Sequence, residues 1–287
     1  MKAPAFSYTR PRRLAEVFGL LDRHGDDARL LAGGQTLLAT LNMRLSEPAL
    51  LIDLQSVQEL KGLSVMGDCL RIGAMTTHSE VEASPLVARH APLLTMAAPH
   101  IAHRAIRNLG TFGGAIAYGD PAAEWPACLL ALDGVVIVQG PGGGRRIPAA
   151  AFFTGMYTTD LAVNEVIVAC DIPLAAGNQH VAFDELARRH GDYAVVGLAA
   201  SCRRAAGVLR QVRLAWLGVG NKPMRSTATE LALEGQVLSD AVIAGALDCL
   251  RGELQPEADL THSTATKRHL ATVMLKRSLN QQRLTQE

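Results

Sequence analysis

The chain has 287 residues, and 28 Lys plus Arg against 27 Asp plus Glu leave a formal charge of +1, without the cationic excess of a nucleic-acid binder. A composition of 48 % hydrophobic and 19 % charged residues is too apolar for a disordered chain, and the length admits two domains. No apolar run approaches the roughly 18 residues of a membrane-spanning helix, and the N-terminus carries no apolar signal core, so a cytoplasmic location is expected.

The opening segment reads as a small β-α-β unit. Phe6 to Tyr8 is a short strand, and a helix from Pro11 carries the stripe Leu14, Val17, Phe18 and Leu21. Arg29 to Leu31 is a second strand, which stops at Ala32-Gly33-Gly34-Gln35-Thr36. Leu37, Leu38 and Leu41 resume a helical period, and Ala49 to Asp53 is a third strand. Alternating strands and helices predict a parallel sheet. From about residue 57 the pattern changes: Leu63–Val65 and Leu70–Ile72 form a hairpin around Met66-Gly67-Asp68. Thr77 opens a helix, and Ala91 to His103 is helical with an interruption at Pro99.

Next comes a second glycine-rich turn, Gly110-Thr111-Phe112-Gly113-Gly114-Ala115. Asp120-Pro121 then reads as an N-cap with proline at the first helical position, leading the apolar segment Ala127–Leu132. Val135–Val138 is a strand, and Gly140 to Gly144 is a hairpin turn. Val181–Leu186, Tyr193–Cys202 and Val208–Val219 form an antiparallel sheet. Ser239 caps one helix, and a last helix starts near Thr264.

The two glycine segments carry the chemistry. Glycine permits φ > 0 and close approach of an anion to backbone N–H groups, and a helix starting after Gln35 adds a positive dipole end. One such loop points to a phosphate; two point to a pyrophosphate held from both sides, hence a dinucleotide. The common dinucleotide and nucleotide motifs are missing: Gly140-Pro141-Gly142 is followed by Arg145 where a third glycine belongs, and the chain has no Gly-Lys pair for a P-loop.

The 5 cysteines (Cys69, Cys128, Cys170, Cys202 and Cys249) include no C-x-x-C pair, so neither an iron–sulfur loop nor a four-cysteine zinc site is expected. His100 and His103 lack a third ligand, and no metal site is predicted. Asp120 and Glu124 read as capping and positioning residues rather than an acid–base pair, His78 as a local structural residue, and no catalytic residue is assigned.

Four ordered segments carry a family resemblance: AGGQTLLATLNMRL (32–45), LRIGAMTTHSEVE (70–82), IAHRAIRNLGTFGGAIAYGDPAAEWPA (101–127) and FDELARRHGDYAVVG (183–197). The chain resembles the FAD-binding medium subunit of the molybdenum hydroxylases, the group of carbon monoxide dehydrogenase and the xanthine dehydrogenase flavin domain. The resemblance implies an α+β, two-subdomain FAD-binding fold of the PCMH type over residues 1–177, with subdomains of about 1–56 and 57–177. A C-terminal domain of antiparallel sheet plus helices is implied over 178–287.

It also implies cofactor contacts at Ala32, Gly33, Gly34, Gln35 and Thr36, and at Thr111, Phe112, Gly113, Gly114 and Ala115. Asn108 and Asp120 are expected to line the site, Ile101 and Leu161 to contact the flavin end, and Tyr193 to lie close to the ring. Thr36 stands where the family usually has Ser and keeps the hydroxyl. Ala115 stands where Asn or Ser is frequent and forgoes a side-chain hydrogen bond worth about 0.5–1.5 kcal/mol.

The implied function is electron transfer. FAD would take electrons from two [2Fe–2S] clusters on a small subunit, fed by a molybdopterin cofactor on a large subunit, and pass them to an external acceptor. The implied assembly is a heterotrimer or a dimer of heterotrimers. Substrates from carbon monoxide and aldehydes to purines and N-heteroaromatic compounds stay open, as does the acceptor. A self-contained FAD oxidoreductase, or a scaffold without catalytic role, are the alternatives. The mean hydropathy of +0.14 fits a chain that buries surface against a partner.

Overall fold

In the computed structural model, which describes residues 2–284, three sheets of three or more strands follow one another along the chain. The first holds β1 (Ser7–Thr9), β2 (Ala28–Leu31) and β3 (Leu50–Asp53) in the order β1-β3-β2, with both pairings parallel. The helix Leu14–His24 covers it, burying Val17 and Leu21 against Leu50 and Ile52. That helix starts at Leu14 with Arg13 as N-cap rather than at Pro11.

The second sheet is antiparallel. It combines the hairpin β4 (Leu63–Met66) and β5 (Cys69–Gly73) with the hairpin β6 (Val135–Gly140) and β7 (Gly143–Pro148). After a separate small hairpin, β8 (Phe153–Gly155) with β9 (Thr158–Thr159), strand β10 (Val166–Pro173) enters the middle of the sheet. The order is β4-β5-β10-β6-β7. Sequence reading passes over β10, because a central strand covered on both faces loses the alternation that marks a half-buried one. Its Asp171 is buried and held by Arg71 at 2.7 and 2.8 Å and by Arg146 at 2.8 Å.

The third sheet, β11 (Gln179–Ala187), β12 (Ala194–Ala205), β13 (Val208–Leu217) and β14 (Met224–Arg225), is antiparallel in that order. The helices Asp240–Glu253 and Thr264–Leu284 close a core around Trp216, and Ser239 caps the former through the Val242 N–H. The helix Glu124–Ala131 is buried between this sheet and the helices Pro92–Ala97, Phe112–Tyr118 and Ala149–Phe152, so its apolar residues show no stripe. Parallel first sheet, hairpins and antiparallel C-terminal sheet agree with the α+β expectation. No described helix is long and apolar enough to cross a membrane.

Candidate functional site

The first glycine segment leaves β2 and turns into a helix of six residues, Leu37–Asn42. Gly34 sits at φ +73°. The Gln35 side chain folds back, its Nε2 donating to the Gly33 carbonyl at 3.0 Å. The backbone N–H groups of Gly33, Gly34, Gln35, Thr36 and Leu37 make no hydrogen bond to another described residue. Such a run of N–H groups is an anion-binding nest. The helix behind it is too short for its dipole to add much, so the N–H run itself is what this segment can offer an anion.

The second segment is built differently. Thr111 caps the helix Phe112–Tyr118, its Oγ1 accepting from the Gly114 N–H at 3.2 Å. The Phe112 N–H donates to the Thr76 carbonyl and the Gly113 N–H to the Ala74 carbonyl, both at 2.8 Å, while the Ala115 N–H donates to the Thr111 carbonyl at 3.1 Å. All four amides are therefore engaged inside the protein.

The glycines are required first by packing. A Cβ on Gly33 would stand 2.1 Å from the Leu109 carbonyl oxygen and 2.7 Å from the Gly110 Cα. One on Gly113 would stand 2.4 Å from the Ala74 Cβ, and one on Gly114 would stand 2.7 Å from the Thr111 Oγ1. The two segments thus meet backbone to backbone, with Ala32 beside Gly114.

His78 locks this junction. Its N–H donates to the Gly110 carbonyl at 2.9 Å, and its Nδ1 accepts from the buried Trp125 Nε1 at 2.9 Å. Burial, and then the charge of Arg107, push His78 down to about 4, so it stays neutral and accepting. Asn108 lies at the junction, but its Oδ1 is taken by Ser79 Oγ at 2.7 Å and Arg104 Nε at 3.3 Å.

The corner around Ile101 departs from the sequence reading. The helix ends at Ala97, a 3-10 turn runs from Ala98 to His100, and residues 101–103 are not helical. Pro99 removes a backbone donor. Buried Arg107 gathers the carbonyls of Ile101 at 3.0 Å and Ala102 at 3.3 Å while pairing with Glu82 at 2.9 Å. Arg107 belongs to a quoted motif, yet only the fold reveals this anchoring task. Gly191, at φ +79°, rests against the His103 ring, so the turn leading to Tyr193 leans on the corner that carries Ile101.

Asp120 is also corrected. It does not cap a helix: Ala123 is the N-cap and the helix begins at Glu124. Asp120 instead accepts from the Ala122 N–H at 2.8 Å, an Asx turn that absorbs Pro121. Burial raises its carboxyl above the usual range.

Glu124 and Glu185 are the groups that sequence reasoning missed as a pair, since strand β11 and the helix at Glu124 meet only through tertiary packing. Desolvation pushes Glu124 up to about 7, with the Asp120 charge acting in the same sense. Desolvation and then the Glu124 charge push Glu185 up to about 8, and the Glu185 Oε2 is buried without a hydrogen-bond partner among the described residues. Tyr193 is 66 % exposed; partial desolvation and the nearby Asp120, Tyr118, Tyr157 and Glu124 push its phenol up to about 12. Leu161 is half-buried against the main core. The structure therefore joins 32–36 to 108–115 directly, and gathers Asp120 and Tyr193 into one electrostatic neighbourhood.

Residues 4–175 match the family FAD binding domain in molybdopterin dehydrogenase, and residues 181–282 match the CO dehydrogenase flavoprotein C-terminal domain. The chain belongs to this family. It is 39 % identical to the nicotine 6-hydroxylase medium subunit of Paenarthrobacter nicotinovorans, covering 97 % of this chain and 98 % of that one. It is 36 % identical to the carbon monoxide dehydrogenase medium chain of Hydrogenophaga pseudoflava, covering 98 % of each. A solved structure of quinoline 2-oxidoreductase from Pseudomonas putida 86 superposes with a TM-score of 0.93, at 37 % identity and 98 % coverage of each chain. The chain is an FAD-binding medium subunit of the molybdenum hydroxylase type, and its relatives are subunits of oxidoreductases.

Proposed function

We propose that this chain is the electron-transfer subunit of a heterotrimeric molybdenum hydroxylase, working in the cytoplasm. In this reading residues 1–177 carry FAD and 178–287 form the second domain. A small subunit supplies electrons from its [2Fe–2S] clusters, a large subunit holds the molybdopterin cofactor and the substrate, and an external acceptor removes the electrons. The carrying observation is the N–H run from Gly33 to Leu37, unengaged among the described residues, whose Gly33 packs directly on the backbone of Leu109 and Gly110. It offers a pyrophosphate donors that need no rearrangement.

Bound FAD would supply two-electron chemistry that accepts electrons singly. The chain's own residues supply position. The 32–36 segment holds the phosphates, with the Thr36 hydroxyl as a further donor. Thr111 to Ala115 shape the opposite wall, and Asp120, Ile101, Leu161 and Tyr193 line the ring end. Asn108 holds the junction through its Oδ1. The scattered cysteines support placing the clusters on another chain. Relatives named for carbon monoxide, nicotine and quinoline support placing substrate selection there too.

The test is the full chain purified alone and with its two partner subunits. Alone, it is expected to retain FAD that no candidate substrate bleaches; with both partners, substrate bleaches it. Bleaching by substrate without partners would sink the electron-transfer reading in favour of a self-contained oxidoreductase.

A further inference from the structure

Gly218, the residue after β13, joins the two halves of the chain. Its N–H donates to the Pro121 carbonyl at 2.9 Å. Among the described residues this is the one backbone hydrogen bond between residues 2–173 and residues 180–284. It lands inside the Asx turn that Asp120 closes on the Ala122 N–H, so that turn is pinned from within and from outside. On its other side Gly218 lies against β12. It holds φ +76°, and a Cβ there would stand 2.8 Å from the Val195 carbonyl oxygen and 2.9 Å from that of Ala194, the two residues after Tyr193. One glycine thus touches both chain segments that carry Asp120 and Tyr193.

The carbonyl of Gly218 is taken by a lysine. Lys267 Nζ donates to it at 2.9 Å and pairs with Asp259 Oδ2 at 2.9 Å. Lys267 is 7 % exposed and stands in the first turn of the helix Thr264–Leu284. Neither setting suits an ammonium: burial desolvates it, and the N-terminal end of a helix repels a cation. Helix stability therefore does not call for lysine here, whereas the carbonyl it holds does. Asp259 is itself fixed, accepting from the Thr261 N–H at 2.7 Å and the His262 N–H at 2.8 Å. The loop before it is tied to the same place, since the Glu257 N–H donates to the Val219 carbonyl at 3.1 Å.

We propose that Lys267 is a positioning residue for the flavin ring. Acting from the C-terminal helix through the Gly218 peptide, it fixes the 120–122 turn and the start of β12, and so the spacing between the Asp120 and Tyr193 walls. The inference rests on the FAD reading above, in which those two residues line the ring end. Among the described residues no hydrogen bond links Lys267, Asp259 or Gly218 to residues 32–37. The relay therefore acts on the ring half of the cofactor and leaves the phosphate half alone.

The experiment uses the full chain, purified and then stripped of FAD. It is titrated with FAD and with ADP, which carries the pyrophosphate without the ring. Lys267→Met should raise the Kd for FAD about tenfold and leave that for ADP unchanged. It should also alter the visible circular dichroism of the bound flavin, which reports the setting of the ring. Lys267→Arg keeps the charge and a donor for the carbonyl and should restore both signals. Arg268→Ala is the control. Its Nε holds the Leu254 carbonyl at 3.0 Å, so its loss should lower the urea midpoint while both affinities and the flavin signal stay at parent values. Asp259→Asn keeps the ammonium but loosens it, and should raise the Kd for FAD about threefold even if Lys267→Met does not fold.

Equal weakening of FAD and ADP overturns the positioning role and leaves the FAD reading intact. So does an FAD affinity and dichroism that ignore both Lys267→Met and Asp259→Asn, or an Arg268→Ala that shifts the dichroism as far as Lys267→Met. A parent chain that takes up no FAD overturns the cofactor reading, and the positioning role falls with it.

Discussion

The two glycine segments look alike as strings of residues and differ as structures. In 33–37 the backbone N–H groups make no hydrogen bond to another described residue, while in 112–115 four consecutive amides are engaged by Thr76, Ala74 and Thr111. The first is a nest and the second a capped helix start buttressed by β5 and its following turn. Glycine has the same immediate reason in both, because backbone or a capping hydroxyl occupies the space a side chain would need. Glycine pairs therefore report close backbone approach, and the hydrogen-bond accounting decides which pair is left to meet a ligand.

Substitutions can break this contrast. Gly33→Val should have the largest effect. Its Cβ meets the Leu109 carbonyl at 2.1 Å, and neither backbone can yield. The purified variant should lack FAD and lose stability at the upper end of about 1–3 kcal/mol; full flavin content would show that the apposition is not needed for binding. Gly113→Ala should cost a similar about 1–3 kcal/mol through Ala74, equally in apo and FAD-loaded protein. A loss confined to the loaded form, seen in denaturant unfolding, would instead place Gly113 against the ligand. Thr111→Val removes a cap and should cost about 0.5–2 kcal/mol in the same assay.

Thr36→Ala sharpens the contrast from the other side. Thr36 makes no capping hydrogen bond, so apo stability should hold while FAD affinity weakens by about 0.5–1.5 kcal/mol, read by fluorescence titration. A different kind of effect concerns pH. Glu185 is raised from 4.5 to about 8, so the folded state holds a proton that the unfolded chain has released. Its contribution is intact below about pH 4.5 and is lost as pH rises toward 8. Glu185→Gln should match the parent in acid and gain in relative urea midpoint across that window. Parallel midpoint curves would refute the assignment.

The legible parts of the fold were those with local causes. The β-α-β opening, the Met66-Gly67-Asp68 hairpin, the caps at Thr77 and Ser239 and the three C-terminal strands all follow from period and turn chemistry. Strand β10 was not legible because it is buried on both sides. The start of the helix at Glu124 was misplaced because Asp-Pro serves an Asx turn as well as a cap. At the site, the glycine segments stood out by residue type, and Tyr193 through the family resemblance alone. Arg107, Glu124 and Glu185 did not, since their tasks arise from partners such as the Ile101 carbonyl and from desolvation.

The sequence by itself determined the family, through four ordered segments whose glycines, hydroxyls and spacing few other folds require together. It also determined that iron–sulfur ligation has no cysteine pair to use here. Tertiary structure alone decided which amides stay open, how Gly33 docks on Leu109, and that Asp120, Glu124 and Tyr193 share one neighbourhood. The reason is physical: periodicity and turn preference are properties of neighbours along the chain, whereas an unengaged N–H and a desolvated carboxylate exist only once distant segments have packed against one another.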